Sequence, residues 1–334
     1  MFRRRFLASI SALAVTLLLA VGPGAASAQQ SGKTYSGGNA LKISPVRQDV
    51  EIEPGKSKTI DVYVQNLTST KADLRGIVND FVAGKDEKGQ PNIILDENQA
   101  APSHSLKQYV TKIPNFSLAP NEQKDIKVTI TIPTTAKPGG YYGAVRFAPQ
   151  STDTDKNVTL SASVGSLVLV RVPGDIQEQV SLASLDVRKD DTAKSFFTSG
   201  KDLKAVARFE NTGDVQEQPF GKIALKKGSK ILATYEINNT QPRGNVLPDS
   251  IRRFTADLSN VGSFGKYTIE GNFGYGTKGT LLSGSKTFYV VPISVIVTIA
   301  VAIILVLLLI FVVPKMVRSY NRKIVQKATS SKRK

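Results

Sequence analysis

Apolar and polar residues alternate in short runs along most of the chain. In residues 59–64, for example, the apolar Ile60, Val62 and Val64 alternate with more polar neighbours. A period of two is typical of a half-buried β-strand. Runs of this kind occupy residues 41–43, 50–52, 59–64, 74–81, 124–132, 141–147 and 164–172, with turn-forming residues between them. Short strands at this spacing predict an Ig-like β-sandwich over residues 41–174.

A second series of alternating runs follows Pro173 and Gly174. It occupies residues 182–187, 203–210, 222–225, 231–237, 251–258, 267–275 and 285–291. Two features of the first series recur: a strand that ends on an asparagine, at Asn66 and Asn211, and a Gly-led turn that precedes a tyrosine, at 139–141 and 265–267. The prediction is therefore an all-β chain with a second Ig-like sandwich over residues 175–291.

One segment is predicted to be helical within the first sandwich. Residues 103–110 begin with Ser103, which is a suitable N-cap for a short helix.

The two ends of the chain carry membrane signals. Residues 1–28 combine three arginines, an apolar stretch and the small-residue pattern Ala26-Ser27-Ala28, which is typical of a cleaved signal peptide. Residues 29–40 are rich in Gly and Ser and predict a flexible lead. Residues 292–313 contain no charge and are long enough, at about 1.5 Å per residue, to cross the hydrocarbon core of a bilayer as a helix.

The formal net charge of +17 is distributed unevenly along the chain. Eight basic residues and no acid lie in residues 315–334, whereas all 27 acids lie between the two apolar ends. A basic flank beside an apolar span predicts a cytoplasmic tail at 314–334 and an ectodomain on the outer side of the membrane. The charge is thus explained by membrane topology, and no nucleic-acid partner is expected.

The residues that usually carry catalysis or metal binding are scarce. There is no Cys, and the single histidine, His104, has no second histidine or thiol to join it. Residues 153–157 resemble the start of a calcium loop, but the sixth position is Val158 where glycine is required. We therefore expect no catalytic residues, no cofactor and no metal site, and a protein that is not an enzyme.

The stretch Gly139-Gly140-Tyr141-Tyr142-Gly143 is the remaining candidate for chemistry. A phosphate-binding loop would need a helix after the glycines, but the residues that follow alternate as a strand. Adjacent strand residues point to opposite faces, so one tyrosine belongs to the core and the other is available to a ligand. The candidate binding residues are therefore Tyr141, Tyr142 and Arg146.

Several of these pieces, in this order, resemble a known family. They are Leu41-Lys-Ile-Ser-Pro-Val, Glu53-Pro-Gly, Val62-x-Val-x-Asn66, Phe116-Ser-Leu-Ala-Pro120, Ile132-Pro133 and Ala136-Lys-Pro-Gly-Gly-Tyr-Tyr-Gly-Ala-Val145. Over residues 41–173 the chain resembles the WxL-interacting protein family of Gram-positive-type bacteria, in its peptidoglycan-binding domain. The resemblance implies membrane anchoring, contact with peptidoglycan or another cell-wall polymer, and a second domain that binds a WxL-type surface protein or a host protein.

Two functions are expected from this reading. The first is a non-enzymatic, single-pass membrane protein of the cell envelope that binds the cell wall, a surface protein or both through its Ig-like domains. The alternative is a two-domain Ig-like chaperone or assembly factor for exported surface proteins; the predicted membrane span argues against it, because such chaperones are normally soluble.

Overall fold

The computed structural model describes residues 41–150 and 163–331. The predicted signal peptide at 1–28, the predicted lead at 29–40, the calcium-loop-like residues 153–157 and the last three basic residues lie outside this range. The described residues fall within one unit.

The first sandwich is built from two facing sheets. Its strands are β1 (Leu41–Ser44), β2 (Arg47–Glu51), β3 (Ser57–Asn66), β4 (Ala72–Ala83), β5 (Pro91–Ile93), β6 (Phe116–Leu118), β7 (Gln123–Thr131), β8 (Gly139–Pro149) and β9 (Val164–Val172). One sheet, here called the β3 sheet, has the order β1-β3-β7. The other, the β8 sheet, has the order β2-β9-β8-β4-β5, with β6 also paired to β4. The pairing of β2 with β9 is parallel, and the other pairings in these sheets are antiparallel.

Alternation places one face of each strand in the core. In β3, Val62 and Val64 are fully buried between the sheets, and Phe147 of β8 and Val170 of β9 meet them from the other side. A buried aliphatic or aromatic side chain contributes about 1.5–3 kcal/mol relative to an exposed one, so this interior is the main source of stability for the first sandwich.

The second sandwich repeats the arrangement. Its strands are β10 (Val180–Lys189), β11 (Thr192–Ala193), β12 (Phe196–Phe197), β13 (Lys204–Asn211), β14 (Phe220–Lys227), β15 (Lys230–Ile237), β16 (Ser250–Asp257), β17 (Gly265–Tyr275) and β18 (Thr280–Val290). The β13 sheet has the order β11-β10-β13-β16, and the β17 sheet has the order β12-β18-β17-β14-β15. Phe209, Tyr267, Phe273 and Phe288 form an aromatic centre between them.

The two repeats seen in the sequence occupy corresponding places. Asn66 and Asn211 are both fully buried at the end of their strands, and each side chain bonds to the backbone of the turn that follows. Gly139 and Gly265 each begin a strand with the same φ of +139°, a conformation reserved for glycine. The predicted all-β class is confirmed, while the predicted domain limits at 174 and 175 remain a prediction.

The predicted helix at 103–110 is wrong in extent. Only Lys107–Tyr109 forms a single 3₁₀ turn, and its N-cap position is Leu106, which makes no side-chain cap. The reason is tertiary: the buried Asp80 carboxylate accepts backbone N–H groups from Ala101, Leu106 and Lys107. These bonds hold the segment against β4 in an irregular path, so its backbone donors are satisfied without a helix.

The chain ends in two helices, α1 (Ile293–Phe311) and α2 (Val313–Ser331). The stretch Ile293–Arg322 is long and apolar enough to cross a membrane, and its most apolar part is not buried against the other residues that the structure describes.

The two sandwiches meet through polar contacts. The Arg208 guanidinium donates to both carboxylate oxygens of Glu87, at 2.8 and 2.5 Å. The Arg47 Nη1 donates to the carbonyl of Arg243 at 2.7 Å, and the Gly140 N–H donates to the carbonyl of Asp214 at 2.8 Å. These bonds place the outer face of the β8 sheet against the second sandwich.

Candidate functional site

Tyr142, one of the predicted binding residues, lies in the junction between the sandwiches. Its side chain is 3% exposed, and its ring packs beside Phe81 at a centroid distance of 5.8 Å. Its phenol donates to the Gln216 side-chain oxygen at 3.1 Å, and burial raises its pKa well above the ordinary value. We expected the tyrosine that faces away from the first core to be available to a ligand. Tyr142 is that tyrosine, but the second sandwich covers its face.

Tyr141 points to the opposite face, at the edge of the first core. It is half-buried, its phenol donates to the Lys137 carbonyl at 2.9 Å, and its ring meets Tyr109 edge to face at 5.3 Å. Burial is the main cause that raises its pKa, and Tyr109 adds to it. Of the two tyrosines in the motif, Tyr141 is the one that solvent reaches.

Arg146 lies on the same face of β8 as Tyr142 and is half-buried. Its guanidinium donates to the Asn79 side-chain oxygen at 2.8 Å and to the Ser163 hydroxyl at 2.6 Å. Burial lowers its pKa. The structure therefore does not bring the three predicted residues into one site, since Arg146 is on the face that Tyr141 does not share.

The lone histidine has a structural position beside the same motif. His104 is half-buried, its Nδ1 lies 2.7 Å from the Gly140 carbonyl, and its ring is 5.7 Å from that of Tyr142. These contacts hold the irregular segment before the 3₁₀ turn against the start of β8.

The outer face of the β3 sheet carries the most exposed aromatic ring of the first sandwich. Tyr63 is 39% exposed, whereas the other described aromatic residues of this sandwich are buried or half-buried. With Lys42, Gln65 and Gln123 it lines an open depression of about 240 Å³. Tyr63 was not among the binding residues predicted from the sequence. The pattern did indicate it, because Tyr63 is an aromatic residue at a polar-face position of an alternating strand.

Polar pairs continue from Tyr63 along the same face. Asp61 of β3 pairs with Lys127 of β7 at 3.0 Å. Beyond that pair, hydroxyl groups face each other across the strands, Thr59 to Thr129 at 2.9 Å and Ser57 to Thr131 at 2.8 Å. The face thus combines one aromatic ring with amide, hydroxyl and charged groups, a combination suited to a ligand rich in hydroxyl and amide groups.

A second concave region, here called the junction groove, lies between the sandwiches and measures about 470 Å³. It is lined mainly by polar and charged side chains. The first sandwich supplies Arg47 and Arg171, and the second supplies Glu217, Phe220 and Arg243, with Glu178 between them. Arg171 bonds to Glu178 at 2.6 Å, and the Arg243 guanidinium lies 3.6 Å from the centre of the Phe220 ring.

Glu217 is the buried acid of this groove. Its side chain is 4% exposed; Oε2 accepts the Gly276 N–H at 3.1 Å, and Oε1 is buried with no hydrogen-bond partner among the residues that the structure describes. Burial, followed by the nearby Glu178 charge, raises its pKa to about 7. A carboxyl group in this setting changes charge near neutral pH.

The comparison with protein families matches the first sandwich. Residues 48–149 match the family described as the WxL Interacting Protein, peptidoglycan binding domain. The resemblance predicted from the sequence is confirmed, and the matched region contains the Tyr63 face and the Tyr141 motif. The description of the family names a binding domain.

Comparisons with solved structures give matches of low similarity over three quarters of this chain. A solved structure described as a chaperone–tip adhesin complex of CFA/I fimbriae biogenesis is 14% identical, with 75% of this chain and 99% of that chain covered and a TM-score of 0.36. The Class 5 fimbriae chaperone CfaA is 13% identical with the same coverage and TM-score. The E. coli chaperone DraB is 16% identical, with 75% and 96% covered and a TM-score of 0.32. No curated protein matches the chain.

Proposed function

We propose that this protein is a membrane-anchored component of the cell envelope whose first sandwich binds peptidoglycan. The observation that carries the proposal is the family match over residues 48–149. That range includes most of both sheets of the first sandwich, so the match covers most of one folded domain.

We place the binding surface on the outer face of the β3 sheet, around Tyr63. A site that belongs to the domain family should be built from the domain's own residues, and Tyr63, Gln65 and Gln123 all lie in the matched range. An exposed ring can pack on the apolar face of a sugar while its phenol bonds to hydroxyl groups. Side-chain amides beside it can pair with the acetamido groups of the glycan and with its stem peptides.

Tyr141 is the rival location within the same domain. It is half-buried beside Tyr109 and belongs to the motif that first indicated the family. Its phenol is already bonded to the Lys137 carbonyl, so a ligand would have to compete with that bond.

Anchoring is the second part of the proposal. α1 would span the bilayer, and the basic residues of α2, Lys315, Arg318 and Arg322, would keep the tail on the cytoplasmic side. The sandwiches would then stand on the outer side, where the cell wall lies. The predicted signal peptide at 1–28 would direct this orientation.

Sedimentation with purified, insoluble peptidoglycan tests the binding proposal. The full chain in detergent micelles should sediment with the polymer, and Tyr63→Ala should weaken retention at least about fivefold, the effect expected when an interface loses an aromatic anchor. Tyr63→Phe keeps the ring and should keep most of the binding. Tyr141→Phe is the matched control in the motif and should bind as the unmodified protein does.

Two results would count against this reading. Retention no greater than that of an unrelated Ig-like protein would remove peptidoglycan as the ligand. Retention that survives Tyr63→Ala but is lost in Tyr141→Ala would move the site from the β3 sheet to the motif tyrosine.

The role of the second sandwich is a separate proposal. Family resemblance implies that it recruits a WxL-type surface protein or a host protein, and crosslinking of the native ectodomain to its neighbours would identify such a partner. The chaperone alternative stays a prediction, since the likeness to fimbrial chaperones concerns the fold alone.

A further inference from the structure

The second sandwich carries a stacked aromatic pair close to the start of α1, in which Phe196 is exposed and Tyr289 is half-buried. Phe196 of β12 is 68% exposed, and its ring stacks on Tyr289 of β18 at 5.0 Å with an interplanar angle of 13°. Its neighbour Phe197 points the other way and is buried in the core. The short strand β12 therefore uses one phenylalanine for the core and leaves the other on the surface.

A second exposed ring lies at the same end of the sandwich. Phe264 is 57% exposed and precedes Gly265, which pairs with Val290 at the end of β18. Exposed phenylalanine is uncommon on a soluble surface without a purpose, and here two such rings flank the last residues of the final strand.

Basic residues accompany these rings. Lys266 is exposed and pairs across the sheet with Tyr289, and Lys227 is exposed and donates to the Phe264 carbonyl at 3.3 Å. Lys230, also exposed, closes the adjoining hairpin. Residues 227–230 and 264–267 contain no acid.

The path of the chain fixes where this end lies relative to the span. Only Val291 and Pro292 separate β18 from α1. Since an extended residue covers at most about 3.6 Å, the end of β18 lies within about 11 Å of the first residue of the helix. The Val291 N–H also donates to the Phe197 carbonyl at 2.8 Å, which ties β12 to the same point.

We propose that this end of the second sandwich rests on the membrane surface, with Phe196, Phe264 and Tyr289 at the boundary between headgroups and acyl chains. Aromatic rings prefer that boundary, and lysines beside them bind anionic lipid headgroups. The proposal rests on the membrane anchoring proposed above and adds a lipid-contact surface outside the span. Such contact restricts the tilt of the sandwiches, which α1 alone would leave free to pivot.

The absence of tryptophan from the chain allows a direct test by fluorescence quenching. Phe196→Trp and Phe264→Trp each create a single tryptophan in the full chain, which is reconstituted in vesicles that contain phosphatidylglycerol. Lipids with a nitroxide near the headgroup should quench both variants at least twofold more strongly than they quench Leu281→Trp. Leu281 is 82% exposed but lies at the opposite end of β18, about 30 Å away at 3.3 Å per residue.

A fourth variant separates this proposal from the anchoring on which it rests. Ile303→Trp places the tryptophan in the middle of α1, where a nitroxide deep in the acyl chains should quench it. Two results together would overturn the surface contact and leave the anchor in place. They are deep quenching of Ile303→Trp, and headgroup quenching of Phe196→Trp and Phe264→Trp that is no stronger than that of Leu281→Trp. Absence of deep quenching in Ile303→Trp would overturn the anchor and the surface contact with it.

Discussion

A buried asparagine closes the corresponding strand in each sandwich. The Asn66 amide donates to the carbonyls of Thr70 and Ala119, and its oxygen accepts the N–H and the hydroxyl of Thr68. Asn211 repeats the role with the carbonyls of Val215 and Val246. One side chain thus satisfies several backbone groups that a turn would otherwise leave unpaired in the interior.

Replacing either asparagine should be costly. Asn66→Ala and Asn211→Ala leave buried carbonyls without donors, so each should lower the free energy of unfolding by about 2–4 kcal/mol. Urea denaturation of the full chain in detergent micelles measures the change. Asn115→Ala is the control, because Asn115 is exposed, and it should alter stability by less than about 0.5 kcal/mol. Equal effects for the buried and exposed positions would refute the structural role.

At the scale of single elements, β8 is buried on both faces. Val145 and Phe147 face the core of the first sandwich, while Tyr142 and Ala144 face the second. The strand enters this position through Gly139, whose φ of +139° is reached easily only by glycine. A Cβ at Gly139 would also lie 2.9 Å from the Asp214 carbonyl oxygen, which is the acceptor for the Gly140 N–H.

Alanine at Gly139 should therefore strain both the turn and the contact between the sandwiches. We expect Gly139→Ala to destabilise the protein by about 2 kcal/mol or more. Gly274→Ala is the matched control within a strand, since no atom of the described residues, its two chain neighbours aside, lies closer than 4.0 Å to its added Cβ, and it should leave stability unchanged or slightly higher. The midpoint of thermal unfolding compares the two; a Gly139→Ala midpoint equal to that of Gly274→Ala would show that the turn tolerates a side chain.

The alternation of residues was enough to predict the longer strands and the all-β class. Strands of two or three residues, such as β11 and β12, were missed because they are too short to show a period. The candidate site was harder to predict. The sequence assigned adjacent residues to opposite faces of a strand, but it did not show which part of the protein covers each face. A hint was available: Leu167 and Leu169 lie on the outer face of β9, and strands that are apolar on both faces are usually covered twice.

At the scale of the whole molecule, the two sandwiches share a junction rather than a flexible linker. Phe81, Tyr142, Ala144 and Leu169 form a small apolar cluster that Leu247 of the second sandwich joins. The bidentate pair of Arg208 and Glu87 lies nearby, and Arg208 holds the pKa of the Glu87 carboxyl below its usual value. Because the junction combines buried apolar surface with charge-assisted hydrogen bonds, we expect the two sandwiches to keep a fixed orientation relative to each other.

Glu217 makes the stability of this junction depend on pH. Its folded pKa of about 7 lies above the ordinary value of 4.5, so the folded state binds the extra proton more tightly than the unfolded state does. The stabilisation is complete below about pH 4.5 and is lost as the pH rises through 7. Carboxyl groups with lowered pKa values, such as Glu87 and Asp191, act in the opposite direction, so the contribution of Glu217 must be isolated by substitution.

Glu217→Gln keeps the shape of the side chain but removes the charge that burial disfavours. Between pH 5 and pH 8, the unmodified protein should lose about 1–2 kcal/mol more unfolding free energy than Glu217→Gln loses, because only the carboxyl group must ionise within the groove. Urea denaturation of both proteins across this pH range measures the difference. The pH dependence over this range should be unaltered in Glu236→Gln, since Glu236 is exposed on the outer face of the β17 sheet and the bond from Asn239, with Lys222 beside it, lowers its pKa, so that the carboxyl group stays ionised. Parallel pH profiles for the unmodified protein and Glu217→Gln would mean that Glu217 ionises in the folded protein as freely as it does in water, and that the groove is wet enough to carry its charge.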